Sequence, residues 1–166
     1  MLERHASRAT RRAREFEAFV AGAAGRLLHA ATLLTAEAPD DNPRARRLLT
    51  RSLAHTYASW DRLRGEDPYD RTRSHLAVRF ARGAWHHGGL GRSRPDPASP
   101  LAPLTPQERL VLVLRLYEGV AEEQTAALLG LSPERVRAIC HRATSALLHR
   151  PRGPAPAVTA TKAVPS

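Results

Sequence analysis

The chain has 166 residues, which is enough for one ordinary domain or for two small ones. Its formal net charge is +10, which favours a polyanionic partner such as nucleic acid, although the arginine-rich composition alone fits a GC-rich genome equally well. Aromatic residues make up only 5% of the sequence, so a core must be built mainly from Leu, Val and Ala, which suits helices better than sheets.

Several kinds of site are disfavoured by the residues present. Cys140 is the only cysteine, which excludes an internal disulfide, disfavours a thiolate zinc site and fits a reducing, cytoplasmic setting. No run of about 18 apolar residues occurs, so we predict no membrane partner. The pairs His86-His87 and Cys140-His141 are adjacent, whereas a helical metal site needs ligands three or four residues apart. We therefore predict no catalytic activity, no metal and no cofactor.

Prolines mark the starts of the predicted helices. Proline is favoured at the first helical position, where its missing N–H would be unsatisfied in any case, and a preceding polar side chain can cap the helix. This pattern occurs four times, at Asn42-Pro43, Asp67-Pro68, Thr105-Pro106 and Ser132-Pro133. Each pair precedes a segment with helical spacing of its apolar residues.

The N-terminal half predicts a small domain of three helices over residues 14–86, after a basic arm at residues 1–13. Apolar residues at three- and four-residue steps predict a first helix from about residue 11 to 36. A second helix runs from Pro43 to near Gly65, and a third begins at Pro68. The second helix carries one apolar face, formed by Leu49, Leu53, Tyr57, Trp60 and Leu63.

Two segments predict no regular structure. Residues 87–103 combine Gly, Pro and Ser without periodicity, which is typical of a flexible linker. Residues 151–166 are rich in Pro and Ala and predict a disordered tail. Between them, residues 104–150 predict a second helical domain, so the expected fold class is all-α with two small domains.

The second domain opens with an apolar run, LVLVL, that by itself could be a buried strand. Thr105 and Glu108 stand in the spacing of a capping box, with Pro106 in the first turn. These signals favour a helix, and Gly119 supplies its end.

The next two helices have the spacing of a helix-turn-helix unit. A short helix from Ala121 to Leu129 ends at Gly130, which can adopt the left-handed conformation, and Ser132 caps the following helix. Ala126 is small enough for the two helices to cross closely. On the second helix, Val136 and Ile139 should face inward. The alternative is a simple helical hairpin without a DNA-binding role.

Charge favours the DNA-binding interpretation. The first helix of the unit is acidic at Glu122 and Glu123, whereas the second is basic. We expect the start of the second helix to enter the major groove, where arginine can bridge two acceptors of guanine. The candidate DNA-contacting residues are Ser132, Glu134, Arg135, Arg137, His141 and Arg142. Arg135 and Arg137 are the candidates for base contacts and Arg142 for a phosphate; alternatively, this is a solvated face with intrahelical pairs such as Glu134 with Arg137.

The whole layout resembles a sigma factor of the extracytoplasmic-function type. Residues 104–150 are similar to the family's region 4, a helix-turn-helix that reads the −35 element of double-stranded promoter DNA. The segments EFEAFV, LLHAATLLT and HTYASWDRL, and the stretch from DPY to LAVRF, look like region 2. This resemblance implies a region that binds the RNA polymerase core and opens the −10 element.

One segment departs from the family pattern. Where the family usually has Glu-Asp-Leu-Val-Gln-Glu, residues 46–51 read Arg-Arg-Leu-Leu-Thr-Arg. By resemblance this surface docks on the clamp formed by the polymerase beta-prime subunit, and the residues expected there are Arg47, Leu48, Leu49 and Arg51. The exchange from negative to positive charge is expected to weaken that contact.

Aromatic residues in the same half could stack on unpaired promoter bases. The candidates for single-strand contact are Trp60, Trp85 and Arg79, the last of which stands where an asparagine is usual. Trp60 also continues the apolar face of the second helix, which favours burial instead.

Two other functions remain open from the sequence. The LTPQER start also resembles the helix-turn-helix of LuxR-type regulators. A third possibility is a protein-interaction module that binds a partner such as an anti-sigma factor without contacting DNA. The leading expectation is a sigma-like regulator in the cytoplasm, associated with the nucleoid.

Overall fold

The computed structural model describes residues 2–63, 65–86 and 94–149, and these residues form an all-helical fold with no strand. The helices, with a short 3₁₀ turn and a π-helical turn between them, are α1 (Leu2–Thr35), α2 (Pro43–Ala58), the 3₁₀ turn Trp60–Arg62, α3 (Pro68–His86), α4 (Pro106–Leu112), the π-helical turn Val113–Tyr117, α5 (Glu122–Leu129) and α6 (Pro133–Leu148). The predicted all-α class is confirmed, and each of the four prolines begins a helix where the sequence indicated.

The first helix is longer than predicted, because it begins at Leu2 and includes much of the expected basic arm. Its apolar stripe is buried at Leu27, Ala31 and Leu34, where α2 and α3 pack against it. The segment Ala6–Thr35 contains a stretch that is long and apolar enough to cross a membrane by length and composition alone. A core helix passes the same test, and this helix supplies part of the core.

The buried face of α2 differs from the predicted one. Leu49 is buried as expected, but Leu53, Tyr57 and Trp60 are only half-buried. The interior instead contains the hydroxyl groups of Thr56 and of Thr72 on α3, whose Oγ1 atoms lie 2.7 Å apart. Burial of these polar groups is tolerated because each hydroxyl also lies within hydrogen-bonding distance of a backbone carbonyl one helical turn earlier, so both hydroxyl protons find an acceptor when water is excluded.

A carboxylate from the preceding loop caps α2. The sequence indicated Asn42 as the cap, but its side chain makes no capping bond and donates to Thr32 Oγ1 at 2.9 Å. Glu37 instead accepts the backbone N–H groups of Arg44 and Ala45, at 3.0 and 2.8 Å. Desolvation raises the pKa of Glu37, but these backbone donors outweigh it and leave the pKa below its usual value.

The capping box at the start of α4 is present. The Glu108 amide donates to Thr105 Oγ1 at 3.3 Å, and the Thr105 amide donates to Glu108 Oε2 at 2.9 Å. The apolar run that follows is helical and buried, which confirms the helix over the strand. Gly119 adopts a left-handed conformation with φ 68°, as expected for the end of the segment.

The two halves of the chain pack against one another in a continuous core. Arg109 of α4 is buried and donates from Nε to the carbonyl of Leu34 at the end of α1, at 2.8 Å. Residues 94–103, the described part of the predicted linker, form turns, and the Asp96 amide donates to Ala36 O at 2.8 Å. The boundaries at 14–86, 87–103 and 104–150 stay predictions, and the predicted tail at 151–166 lies outside the described residues.

Candidate nucleic-acid interface

The helix-turn-helix unit has the geometry that its sequence indicated. Gly130 adopts a left-handed conformation with φ 66°, which ends α5, and the Leu131 amide donates to Ala126 O at 2.9 Å. Ser132 Oγ accepts the Arg135 amide at 3.2 Å and caps α6. Val136 and Ile139 are fully buried, so α6 is held against α4 and α5 by its apolar side.

The opposite side of α6 faces solvent and is basic. The exposed residues among the candidates are Glu134, Arg135, Arg137, His141 and Arg142. Because the apolar side fixes the rotation of α6, these side chains are presented together on one surface. The structure therefore brings together the residues that the sequence indicated for DNA, with Ser132 at the exposed start of the helix.

Two of the three arginines take part in ion pairs with neighbouring helices. Arg137 Nη2 lies 2.6 Å from Glu122 Oε1 on α5, and Arg142 Nε lies 3.1 Å from Glu108 Oε1 on α4. The hydrogen bond from Arg137 to Glu122 raises the pKa of the guanidinium. Both arginine side chains stay more than half exposed, at 60% and 58%, so a phosphate can replace a carboxylate without rearranging the helix.

Arg137 forms its ion pair with a residue of α5 and not with Glu134 of its own helix. Arg137 contacts Glu122 across the turn of the helix-turn-helix unit, and within the described chain no ion pair joins it to Glu134. Glu134 instead lies at the start of α6, where its own backbone N–H and Ser132 lower the pKa of its carboxyl group. The ionised carboxylate of Glu134 therefore lies beside the arginines. It repels phosphates near the start of α6, so phosphates are expected to bind elsewhere along the helix.

The residues indicated for polymerase binding lie on α2. Arg47 and Arg51 are exposed and Leu48 is half-buried, whereas Leu49 is only 7% exposed and packs in the core. Leu49 therefore supports this surface from beneath. Arg47, Leu48 and Arg51 line a cavity of about 1070 Å³ that also includes Arg79 of α3, which the sequence indicated for a different role.

The candidate single-strand contacts do not form one cluster in the described structure. Trp60 packs against Phe16 edge to face, with ring centroids 5.2 Å apart, and against Phe19 at 5.6 Å. Its Nε1 donates to Glu15 Oε2 at 3.4 Å. Packing against these two rings therefore accounts for the buried part of Trp60, and its contact with single-stranded DNA stays a prediction. The side chain of Trp85, in the last turn of α3, lies outside the described residues.

Comparisons with known proteins agree with this geometry. Residues 101–149 match the family model "Sigma-70, region 4", which spans α4, α5 and α6. An RNA polymerase sigma-E factor of Streptomyces coelicolor is 29% identical over 152 residues, covering 80% of this chain and 84% of that protein. A sigma-E factor of Streptomyces avermitilis is 28% identical over 152 residues, covering 80% and 83%. The chain is thus similar to RNA polymerase sigma factors, most specifically in region 4. No solved structure matches it at a significant level.

The similarity to sigma factors extends beyond the helix-turn-helix unit. The relatives cover both halves of the chain, so the region 2-like half is included in the likeness, and the extracytoplasmic-function layout is supported. Region 4 begins at residue 101, slightly before the predicted boundary at 104.

Sequence reasoning missed two residues that fix region 4 on the N-terminal half. Glu118 has a side chain only 1% exposed, next to Arg26 and Arg73, and Arg109 is 6% exposed. Their charge predicts a surface position, and they lie far along the chain from their partners. The position of Arg109 directly before the apolar run LVLVL was the only signal in the sequence for its burial.

Proposed function

We propose that this chain is a sigma factor that directs transcription initiation, reading promoter DNA with α6 and binding the RNA polymerase core through the exposed part of α2 in its N-terminal half. The observation that supports this function most strongly is the exposed basic side of α6 within a region 4 domain. In a helix-turn-helix unit that side enters the major groove. The similarity to sigma-E factors over both halves favours this function over a LuxR-type regulator.

The residues of α6 are assigned different parts in recognition. Arg135 lies in the first turns and makes no side-chain ion pair among the described residues, so we assign it a base contact. Arg137 lies two residues further along α6. We assign it a base contact as well, made when its ion pair with Glu122 is broken. Arg142, near the middle of α6, is assigned a phosphate contact, with Ser132 and His141 at the edges of the surface.

Polymerase binding is assigned to the exposed part of α2. Arg47, Leu48 and Arg51 supply a surface with an apolar centre and two cationic groups, and the beta-prime subunit is the proposed partner by likeness to the family. The family's surface is acidic here and that of this chain is basic, so tight docking requires that its own polymerase carry acidic groups at the contact. Arg47→Glu with Arg51→Glu should therefore weaken holoenzyme formation, whereas Arg8→Glu with Arg14→Glu, at exposed positions of α1, is the matched control.

A protein inhibitor of the anti-sigma class is a further proposed partner. Leu116 and Leu148 in region 4 are 65% and 77% exposed, which is unusual for large apolar side chains and supports a protein contact. Co-purification of a tagged chain, with Leu116→Ser and Leu148→Ser compared against the native residues, tests this contact.

A function in transcription also implies that the protein acts in the cytoplasm, in association with the nucleoid.

Reconstitution with core polymerase tests the proposed function. The holoenzyme should produce transcripts from specific promoters, and Arg135→Ala with Arg137→Ala should reduce preference among promoters. Arg142→Ala should weaken all sequences alike and reduce the salt dependence of binding by about one unit of log-log slope. If the chain binds promoter DNA but never binds core polymerase, a DNA-binding regulator is the better description. If it binds neither, it is a protein-interaction module.

A further inference from the structure

A cavity of about 1070 Å³ lies between α2, α3 and the start of α4, and its walls are rich in arginine. Seven arginines line it: Arg44, Arg47, Arg51, Arg79, Arg82, Arg94 and Arg109. No carboxylate is among the described lining residues, and the sequence of residues 87–93, which adjoin this region along the chain, contains none either. Such a concentration of one charge around a concave surface attracts and binds anions.

Four of these seven arginines have no side-chain hydrogen bond or ion pair within the described chain that would account for their positions. Within residues 2–63, 65–86 and 94–149, Arg47, Arg51, Arg79 and Arg82 form no hydrogen bond or ion pair through their side chains, and all four are exposed. Arg44 is different, because it pairs with Glu37 at 3.1 Å. The four unpaired guanidinium groups repel one another, so their approach around one cavity costs free energy unless an anion is bound.

The deepest charge in the cavity is that of Arg109. It is 6% exposed and donates to two backbone carbonyls, those of Leu34 and Leu104, at 2.8 and 2.7 Å. No carboxylate within the described chain neutralises it. Burial, together with nearby Arg44, lowers the pKa of its guanidinium, which shows that the folded protein bears a cost for this charge.

Part of the cavity lining is apolar and is called the floor here, and it restricts what can bind. It comprises Leu48, Val78, Phe80 and Leu104. An inorganic anion alone would leave this floor exposed to water. A ligand that satisfies both features carries several anionic oxygens for the guanidinium groups and a planar apolar ring for Phe80. The volume is near the upper end of the range for sites that bind small organic ligands, about 300–1000 Å³.

We propose that this cavity binds a nucleoside polyphosphate. The phosphates contact Arg47, Arg79 and Arg82, and the base lies on the floor near Phe80 and Leu48. Arg109 supplies positive potential from beneath. Planar guanidinium groups suit phosphate oxygens because they donate two parallel hydrogen bonds.

Binding would have a consequence for the proposed function. Arg47, Leu48 and Arg51 belong both to the cavity and to the surface assigned to polymerase. The cavity lining also includes Leu104, Pro106 and Arg109 of the region 4 half, so a ligand would also stabilise the contact between the two halves. Occupancy should therefore reduce core binding, and this consequence rests on the proposed function whereas ligand binding itself does not.

Calorimetric titration of the full chain at constant ionic strength tests the site. ATP should bind saturably, inorganic tripolyphosphate more weakly, and adenosine without measurable affinity. Arg47→Ala with Arg82→Ala should reduce ATP affinity by roughly tenfold or more, because two charge-assisted contacts are lost. Arg8→Ala with Arg14→Ala removes the same charge from exposed positions of α1 and should leave ATP affinity unchanged. Neither pair makes intramolecular side-chain contacts in the described chain, so both variants should fold.

Several results would overturn the proposal. One is the lack of saturable ATP binding, and another is an equal loss of affinity in the two double variants, which would show a response to net charge alone. A third is equal binding of ATP and tripolyphosphate, which would remove the base from the site. The last is tighter binding of a short single-stranded deoxyoligonucleotide through Arg47 and Arg82, which would make the cavity a nucleic-acid surface. All of these measurements use the free chain, so they stand apart from failure of transcription.

Discussion

The Tyr69 hydroxyl lies 3.0 Å from each carboxylate oxygen of Glu118, and this contact joins α3 to the end of the π-helical turn in region 4. Arg73 and Arg26 lie 3.8 and 3.6 Å from the same carboxylate. Burial, followed by the bond to Glu118, raises the pKa of Tyr69, so its hydroxyl remains a donor at physiological pH. One buried carboxylate thus connects the two halves of the chain.

Disrupting this connection should destabilise the protein in a graded way. Tyr69→Phe removes one hydrogen bond to a charged group and should lower the free energy of unfolding by about 1.5–3 kcal/mol. Glu118→Leu removes the buried partner of Tyr69 and Arg73, although Arg73 keeps Asp70 at 3.0 Å, and should cost up to about 3–5 kcal/mol. Urea denaturation measures both, and Glu17→Ala, at an exposed position of α1, is the control. Equal effects at Glu17 and Glu118 would contradict this account.

Two glycines should respond to alanine in opposite directions. Gly130 adopts φ 66°, a conformation that alanine tolerates poorly, so Gly130→Ala should destabilise the protein by about 1–2 kcal/mol. Gly25 lies within α1, and a Cβ added there meets nothing within 4 Å, so Gly25→Ala should stabilise it by about 0.4–1 kcal/mol. A Cβ at Gly130 also meets nothing within 4 Å, so backbone strain is the only difference tested. Thermal unfolding of the two variants should shift in opposite directions.

Protonation of His75 should destabilise the fold in mildly acidic solution. Burial, together with His55, Arg79, Arg71 and Arg82, lowers the pKa of His75 to about 4 from its usual 6.5. The unfolded chain therefore binds this proton more readily than the folded chain between those values. The resulting stability is present above about pH 6.5 and is lost as the pH falls towards 4.

A substitution at His75 should remove this pH dependence. His75→Gln keeps a polar group near Ser52, which lies 3.2 Å from His75 Nδ1, but cannot take up the proton. The free energy of unfolding of this variant should fall less between pH 6.5 and 4 than that of the native chain. His141→Gln, at an exposed position of α6, is the matched control. An unchanged slope in His75→Gln would show that other groups cause the loss.

Releasing Arg137 from Glu122 should strengthen binding to DNA. Glu122→Gln removes the carboxylate that lies 2.6 Å from Arg137 Nη2, and it also removes a negative charge beside the proposed interface. Affinity for duplex DNA should rise by up to about fivefold, because an exposed pair of this kind is weak. Fluorescence anisotropy at constant salt measures this change, and Glu17→Gln, at an exposed position of α1, is the control. A decrease in affinity would indicate that Glu122 orients Arg137 for its contact.

The local signals in the sequence were the accurate ones. Pro43, Pro68, Pro106 and Pro133 begin helices, the Thr105 capping box is formed, and Gly130 ends α5. Each depends on residues within one helical turn, where the backbone geometry is set by neighbours in the chain. The predicted cap of α2, Asn42, was wrong. The side chain that caps this helix is Glu37, which lies in a loop whose path the sequence does not reveal.

The sequence by itself determined the helices, the helix-turn-helix unit and the basic side of α6, because apolar spacing fixes which side of a helix is buried and so which side remains for DNA. Only the tertiary structure decided which charges are buried, as with Glu118 beside Tyr69 and Arg109 beside Leu34. It also decided that Arg47 and Arg79, from different helices, share one cavity. Such pairings depend on how complete helices pack, and packing brings together residues whose separation along the chain carries no local signal.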